Sequence, residues 1–356
     1  MIRFRFCSRF AESSPRWRLV ACVAAVGLSL GFCERAFAAE PKPAGSVQYA
    51  EIPEGVTSFG AAVVGDSLYI YGGHRGGEHD YSNEEQSDQF RRLELVAGGK
   101  WEDLPRGPKL QGLALVANGG KLYRIGGFTA RNKKDDVHDL HSSAEVAAFD
   151  PKTRKWSDMP ALPEGRSSHD AVVLGDKIYV VGGWKLAGES VEPTWHGKAL
   201  VLDLAAEPQA WKEIPKPPFK RRALSLAAVD GKVYAIGGMQ PNGKVSMNVD
   251  VFDEKTGKWS KAPDLPGEGM DGFGTSAFAA GGKVYVSNVS AKVYGLDAAA
   301  GEWKLAAELK EKRLFHRMVA TDDGQLLVVG GAEWLKGKAY GVYAIAVAAK
   351  NAGAAQ

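Results

Sequence analysis

The sequence predicts an all-β protein built from one repeated four-strand unit, and three observations carry that expectation. Glycine pairs recur at Gly72-Gly73, Gly126-Gly127, Gly182-Gly183, Gly237-Gly238 and Gly330-Gly331. A tyrosine stands three residues before the first glycine at Tyr69, Tyr123, Tyr179 and Tyr234. A W-x-x-x-P signature follows at Trp101 with Pro105, Trp156 with Pro160, Trp211 with Pro215 and Trp259 with Pro263. Features that keep their order at intervals of roughly 45–55 residues mark a repeat architecture, in which each unit buries its apolar faces against its neighbours.

The chain opens on a segment of different composition. Arg3, Arg5, Arg9, Arg16 and Arg18 precede an apolar run over residues 19–33, and Ala36-Phe37-Ala38 supplies a small-x-small pattern. Residues 1–38 therefore read as a secretory signal peptide, the apolar run being short for a bilayer-spanning anchor. Of 45 basic and 42 acidic residues, six arginines and two glutamates lie in this segment, which leaves 39 against 40 in the rest. That balance gives no reason to expect a nucleic-acid partner. Cys7, Cys22 and Cys33 lie there too. The remainder can form no disulfide and hold no thiolate-bound metal, so core packing must stabilise it. The expected location is the periplasm or the cell exterior.

The strands follow in order. In residues 166–183 a run at 171–174, a Gly175-Asp176 turn and a run at 178–181 make a hairpin of β-branched residues suited to burial on both faces. The hairpin recurs around Gly65-Asp66, Gly119-Gly120, Asp230-Gly231, Gly281-Gly282 and Asp323-Gly324. A third strand, as at residues 199–204, and the Trp strand complete the unit. One expected Gly pair is replaced by Ser287-Asn288 after the strand KVYV, and Trp303 is followed by Ala307 where proline is expected. Six hairpins but five Trp strands leave one outer strand missing. Tyr49-Ala50-Glu51-Ile52-Pro53 has the aromatic-x-x-x-Pro spacing. Residues 47–52 are therefore expected to complete the last unit, whose third strand is residues 340–347, leaving no free sheet edge. Residues 350–356 read as a flexible tail.

Four strands per unit, a Gly pair after the second and Trp in the fourth resemble the kelch motif, and the resemblance covers residues 47–347. It implies a six-bladed kelch β-propeller, one domain over residues 39–349, with radial blades and the last closed by the N-terminal strand. The periodic Trp and Tyr side chains are then core. Connections from first to second and third to fourth strands share one face, where they are short turns. Second-to-third connections and the crossovers between blades share the other. That face carries insertions at residues 74–89, 128–143, 184–198 and, shorter, 239–247. Long loops on a rigid scaffold are where binding is expected, lopsided here toward the first three blades.

All seven histidines map to the insertion face, His169 and His316 beginning innermost strands and His74 and His196 lying on insertions with His79, His138 and His141. Imidazole can donate, accept or titrate, or simply order a loop. Arg75, Arg131 and Arg222 suit bidentate capture of a carboxylate or phosphate, whereas Arg166, Arg221 and Arg313 are expected to be solvated rim charge or to bridge blades. Trp184 and Trp195 fall outside the Trp period and suit stacking on a sugar ring or peptide side chain, or pinning of the third-blade loop. Asp271 lies in the Gly-dense crossover of residues 267–274, at an expected open side. The candidate ligand-binding set is His74, Arg75, Arg131, His169, Trp184, His196, Arg222, Asp271 and His316. His138-x-x-His141 shows no third ligand, so no metal is expected, and no cofactor. No nucleophile elbow, phosphate loop or dinucleotide fingerprint is present.

Two enzyme families share the resemblance. Galactose oxidases also use kelch propellers, but their cofactor needs a Tyr cross-linked to Cys, and no Cys follows residue 38. Periplasmic sialic-acid epimerases, or mutarotases, are similar to this chain in length, leader and blade count. That resemblance implies an arginine against the sugar carboxylate and acid/base side chains for ring opening. Arg75 or Arg222, with Glu268, Asp271 or His169, match in kind, although no catalytic motif matches residue by residue. The expectation is an exported, monomeric binding module for a carbohydrate or protein ligand, without membrane insertion after cleavage. The alternative is an epimerase or mutarotase acting on an acidic sugar.

Overall fold

Apolar runs of about five residues, each cut by a glycine turn, favour strands over helices. Every regular element in the computed structural model is a strand; it describes residues 47–333 and 335–347, so the leader and tail readings lie outside the described residues. Gly60–Val64 and Ser67–Tyr71 form the first hairpin, Phe90–Glu94 pairs with its second strand, and Trp101–Asp103 forms the outer edge. Ser225–Val229, Lys232–Ile236, Val249–Asp253 and Lys258–Ala262 repeat the order in the fourth sheet. Among the described residues there are five such meanders and a sixth sheet of Arg317–Ala320, Leu326–Val329 and Val342–Ile345. Innermost strands pack side by side in chain order, and the sixth meets the first.

Repeated hydrogen bonds between blades explain the sequence signatures. The indole Nε1 of Trp156, Trp211, Trp259 and Trp303 donates to the carbonyl of Pro105, Pro160, Pro215 and Pro263, each the signature proline of the preceding blade. The Gly pairs work at the inner edge. Gly126 and Gly127 hold φ values of 55° and 98°, which bring the Gly127 amide onto the carbonyl of Arg166 in the next blade at 2.9 Å. Gly73, Gly183 and Gly238 make the same bond to Leu110, Arg221 and Gly272.

The fifth blade departs from this pattern by one residue more than the sequence suggests. Strand Lys283–Ser287 ends where Ser67–Tyr71 ends, so Asn288-Val289, not Ser287-Asn288, takes the place of the Gly pair. Asn288 instead turns the chain locally, its amide donating to Lys292 O and its side chain accepting from the Lys292 amide.

The N-terminal segment lies along the sixth sheet. Tyr49 N donates to Val342 O, Ile52 N to Tyr340 O, and Ala344 N to Val47 O, with one bridge pairing Gln48 and Tyr343. Trp101 Nε1 donates to Ala50 O at 3.1 Å, so this segment supplies the carbonyl that an outer strand supplies elsewhere. Ile52, Phe59, Leu68, Val329 and Val342 fill the seam between the sixth and first blades.

Candidate functional site

Six residues in one register position, Ser58, Gly112, Ser168, Ala223, Gly274 and Phe315, all take positive φ just before the innermost strands. Each amide from Gly112 to Phe315 donates to the carbonyl of its predecessor, so five backbone hydrogen bonds link the six blades along a rim around the axis. Five blades extend their inner hairpin past this rim by one bridge: Thr57 with His74, Gln111 with Phe128, Ser167 with Trp184, Arg222 with Met239 and Leu314 with Ala332. The residue after the Gly pair and its partner therefore face the mouth. Below the rim, Arg317 crosses between blades, donating to Phe59 O, Leu113 O and Asp170 Oδ1 at 2.8, 3.1 and 3.2 Å.

Arg222 is the singular group at the mouth. Its guanidinium lies over Trp184, 4.2 Å from the ring centroid, with Phe273 at 5.7 Å and Trp195 at 5.9 Å. Trp184 and Trp195 meet edge to face. No carboxylate among the described residues pairs with Arg222, and its Nε and the Trp184 Nε1 are buried without a partner. Tyr81, from the first-blade insertion, lies within reach of its charge; burial raises the phenol's pKa and the guanidinium opposes that rise. Tyr81 is itself seated on His74, His138 and Phe128, with centroids 5.0, 5.5 and 5.8 Å away.

The insertions of blades one to three dock on one another. Gln86 donates to Thr129 Oγ1 and Ala130 O and accepts from the Ala130 amide, while Asn132 donates to Tyr81 O. Ser142 N donates to Leu186 O and Gly188 N to Leu140 O. They form one wall over blades one to three, and the connections of blades four and five are shorter.

Of the nine candidates, Trp184 and Arg222 are brought together. His74 is buried and donates from Nε2 to Asp80 O, shaping the Tyr81 loop. Arg75 pairs with Glu54 and bonds Glu84 O. Arg131 is exposed in the second-blade insertion, its amide bonding Asp139 O. His196 donates to Gly165 O and fastens the third insertion. Asp271 is buried, accepting from the Glu268 and Ser290 amides, so it caps its own crossover. His169 and His316 sit in the seams beneath the rim, His316 sharing a 2.6 Å hydrogen bond with Ser287 Oγ. Tyr81, Phe273 and Phe315 were missed; register from the Gly pair or from the inner strand would have found Phe273 and Phe315, and nothing local marks Tyr81. Two clefts of about 320 and 330 Å³ lie away from the mouth, one between blades four and five around Tyr234 and Lys258, the other beside Lys198, Lys216 and Lys220. Among the described residues no group of three His, Cys, Asp or Glu is placed to hold a metal ion.

Known proteins agree with this architecture. A family model for the Kelch motif matches residues 220–266. A solved structure titled "Structure of YjhT" superposes with a TM-score of 0.65 at 17% identity, over 85% of this chain and 97% of that one. The fold is a kelch-repeat β-propeller. Among curated proteins the propeller is 24% identical to an N-acetylneuraminate epimerase of Haemophilus influenzae, over 84% of this chain and 85% of that protein. It is also 27% identical to the Kelch-like protein terF of Aspergillus terreus, over 68% of this chain and 54% of that protein.

Proposed function

We propose that the propeller binds an acidic sugar at the channel mouth of its insertion face. One observation carries this reading: Arg222, laid on Trp184 and free of any acidic partner, offers a half-buried cation to an incoming carboxylate. The indole faces of Trp184 and Trp195, with Phe273 and Tyr81, would flank a sugar ring. The wall of blades one to three directs approach from blades four and five. Export to the periplasm or beyond belongs to the same proposal, supported by the Arg-rich, apolar first 38 residues.

A second reading, that the bound sugar is also ring-opened and epimerised, is supported by the near full-length match to a protein named for that activity. Isothermal titration with N-acetylneuraminate, glucuronate and a neutral hexose tests binding. The acidic sugars are expected to bind, with Arg222→Met weakening them by about tenfold to a hundredfold, the worth of one charge-assisted hydrogen-bonded contact. Equal affinity for the neutral sugar, or no effect of the substitution, would refute the site. Anomer exchange of freshly dissolved N-acetylneuraminate, followed by NMR, tests the second reading; a rate equal to buffer removes it for that sugar.

A further inference from the structure

The unpaired groups around the mouth are nearly all proton donors. Gln111 Nε2, Trp184 Nε1, Arg222 Nε and Asn288 Nδ2 are buried and find no acceptor in the protein. Glu268 is exposed in the blade-five crossover, and three other carboxylates are committed elsewhere. Asp170 is held by Arg317 and the Leu226 amide, Asp271 by two backbone amides, and Glu54 by Arg75, Arg91 and Ser87. Burial keeps His74, His169 and His316 neutral, and His74 is already tied to Asp80 O. A site that opens a sugar ring needs a group that takes a proton.

Lys338 has the right placement. It lies on Gly337–Lys338, the returning strand of an accessory hairpin in blade six, opposite Ala332 of the mouth tier. Its Nζ donates to Thr57 Oγ1 at 3.1 Å, and no carboxylate among the described residues pairs with it. Thr57 is the first-blade member of that tier, and Arg222 is the fourth-blade member, across the axis. The charge of Lys338 is felt at His74, whose ring meets that of Tyr81 at 5.0 Å, and Tyr81 in turn feels the charge of Arg222. Desolvation brings the amine pKa down to about 8, with Glu85 pulling it up.

We infer that Lys338 is the proton-accepting group of the mouth, acting as base toward a hydroxyl of the bound sugar. This rests on the acidic-sugar reading and on its ring-opening form. The amine takes the anomeric hydroxyl proton, the O–H electron pair becomes the carbonyl π bond, and the ring C–O bond breaks. The departing ring oxygen takes a proton from water, and the ammonium returns its proton to the hydroxide so formed.

Trace acetylation of the full protein with acetic anhydride from pH 6 to 10, read peptide by peptide by mass spectrometry, tests the amine without any ligand. Lys338 is expected to reach half-maximal reactivity near pH 8, well below the ordinary lysine value. Titration at the ordinary value overturns the inference. Under saturating N-acetylneuraminate, labelling of Lys338 is expected to slow at least fivefold; unchanged labelling while calorimetry reports bound sugar also overturns it. Should calorimetry find no binding, the acidic-sugar reading fails alone, and the titration still decides whether a proton-accepting amine stands at the mouth. In anomer exchange, Lys338→Arg and Lys338→Gln are both expected to lose the pH 8 inflection and at least tenfold in rate. Retention of the inflection in a folded variant overturns the assignment.

Discussion

His169 and His316 occupy the same register position in blades three and six but meet different partners. Elsewhere that position holds Phe59, Leu113, Leu224 or Thr275, packed against the end of the preceding blade's second strand. In the sixth blade the facing residue is Ser287, and the two share a hydrogen bond. In the third it is Ile125, which offers the His169 ring no side-chain partner. Burial and nearby arginines lower the pKa of both rings, His316 to about 3; burial likewise lowers His196 to about 4 and also depresses His74. The folded state therefore binds fewer protons than the unfolded chain below pH 6.5. Stability is fully present above that value and is lost as pH falls toward the folded-state pKa values, by up to about 1.4 kcal/mol per pH unit for each histidine. Calorimetry should show Tm falling between pH 6.5 and 5, above the range in which ordinary carboxylates titrate. The double variant His316→Leu/Ser287→Val, which copies the Leu224 and Val181 pair, should have a shallower slope; an unchanged slope would exclude His316 as a contributor.

At the scale of the element, the W-x-x-x-P strand acts as a clasp between blades rather than as a local signature. Trp156 illustrates both of its functions. Its indole donates to Pro105 O, and its ring packs on Phe90, Phe149 and Tyr71, with the Arg124 guanidinium 5.0 Å from its centroid. Trp156→Phe keeps most of the packing and should cost about 1 kcal/mol, one hydrogen bond, whereas Trp156→Ala should cost about 3–5 kcal/mol. Urea unfolding with an unchanged m-value would verify the ranking; equal losses would place all the stabilisation in the hydrogen bond. The three arginines that precede inner strands are a second clasp. Arg166 bonds Gly182 O and Lys198 O, Arg221 bonds Asn248 O and Asp250, and Arg313 bonds Gly330 O and Gly341 O. Arg221 also reaches Ala235 O. Each is buried rather than solvated and bonds within its own blade rather than across to another, tying the second strand to the third, because the buried guanidinium must find carbonyl acceptors close by.

At the scale of the molecule, ring closure and the channel brace decide cooperativity. A ring with one open seam exposes the edge of Val342–Ile345 and leaves Trp101 Nε1 and the Ile52 pocket unfilled. Removing residues 47–53 should therefore lower Tm by well over the ~2–4 °C that 1 kcal/mol represents in a large domain, and promote self-association visible by size-exclusion chromatography. An unchanged melting curve would mean that the segment adds nothing to closure. The Arg317 and Asp170 brace joins blades three and six across the axis.

The periodic features were legible because each has a local physical cause that recurs with the repeat. The Gly pairs, the Trp strands and the short turns locate every blade, and the two tryptophans outside the period locate part of the mouth. The one-residue offset at Asn288 was not legible, since only strand pairing fixes register. Tyr81 was hidden for a related reason: it reaches the mouth because three insertions dock side by side, through Gln86, Asn132 and Ser142, and that docking has no counterpart in chain order. Sequence also located His169, Asp271 and Arg75 on the insertion face, but their partners are set by burial and by groups far along the chain. The sequence by itself thus determined the repeat, its strands and the face that carries the insertions, because hydrophobic period and turn chemistry are local. Only the tertiary structure decided which cations at the mouth lack a carboxylate, because whether Arg222 or Lys338 meets one depends on what the other five blades bring to the axis.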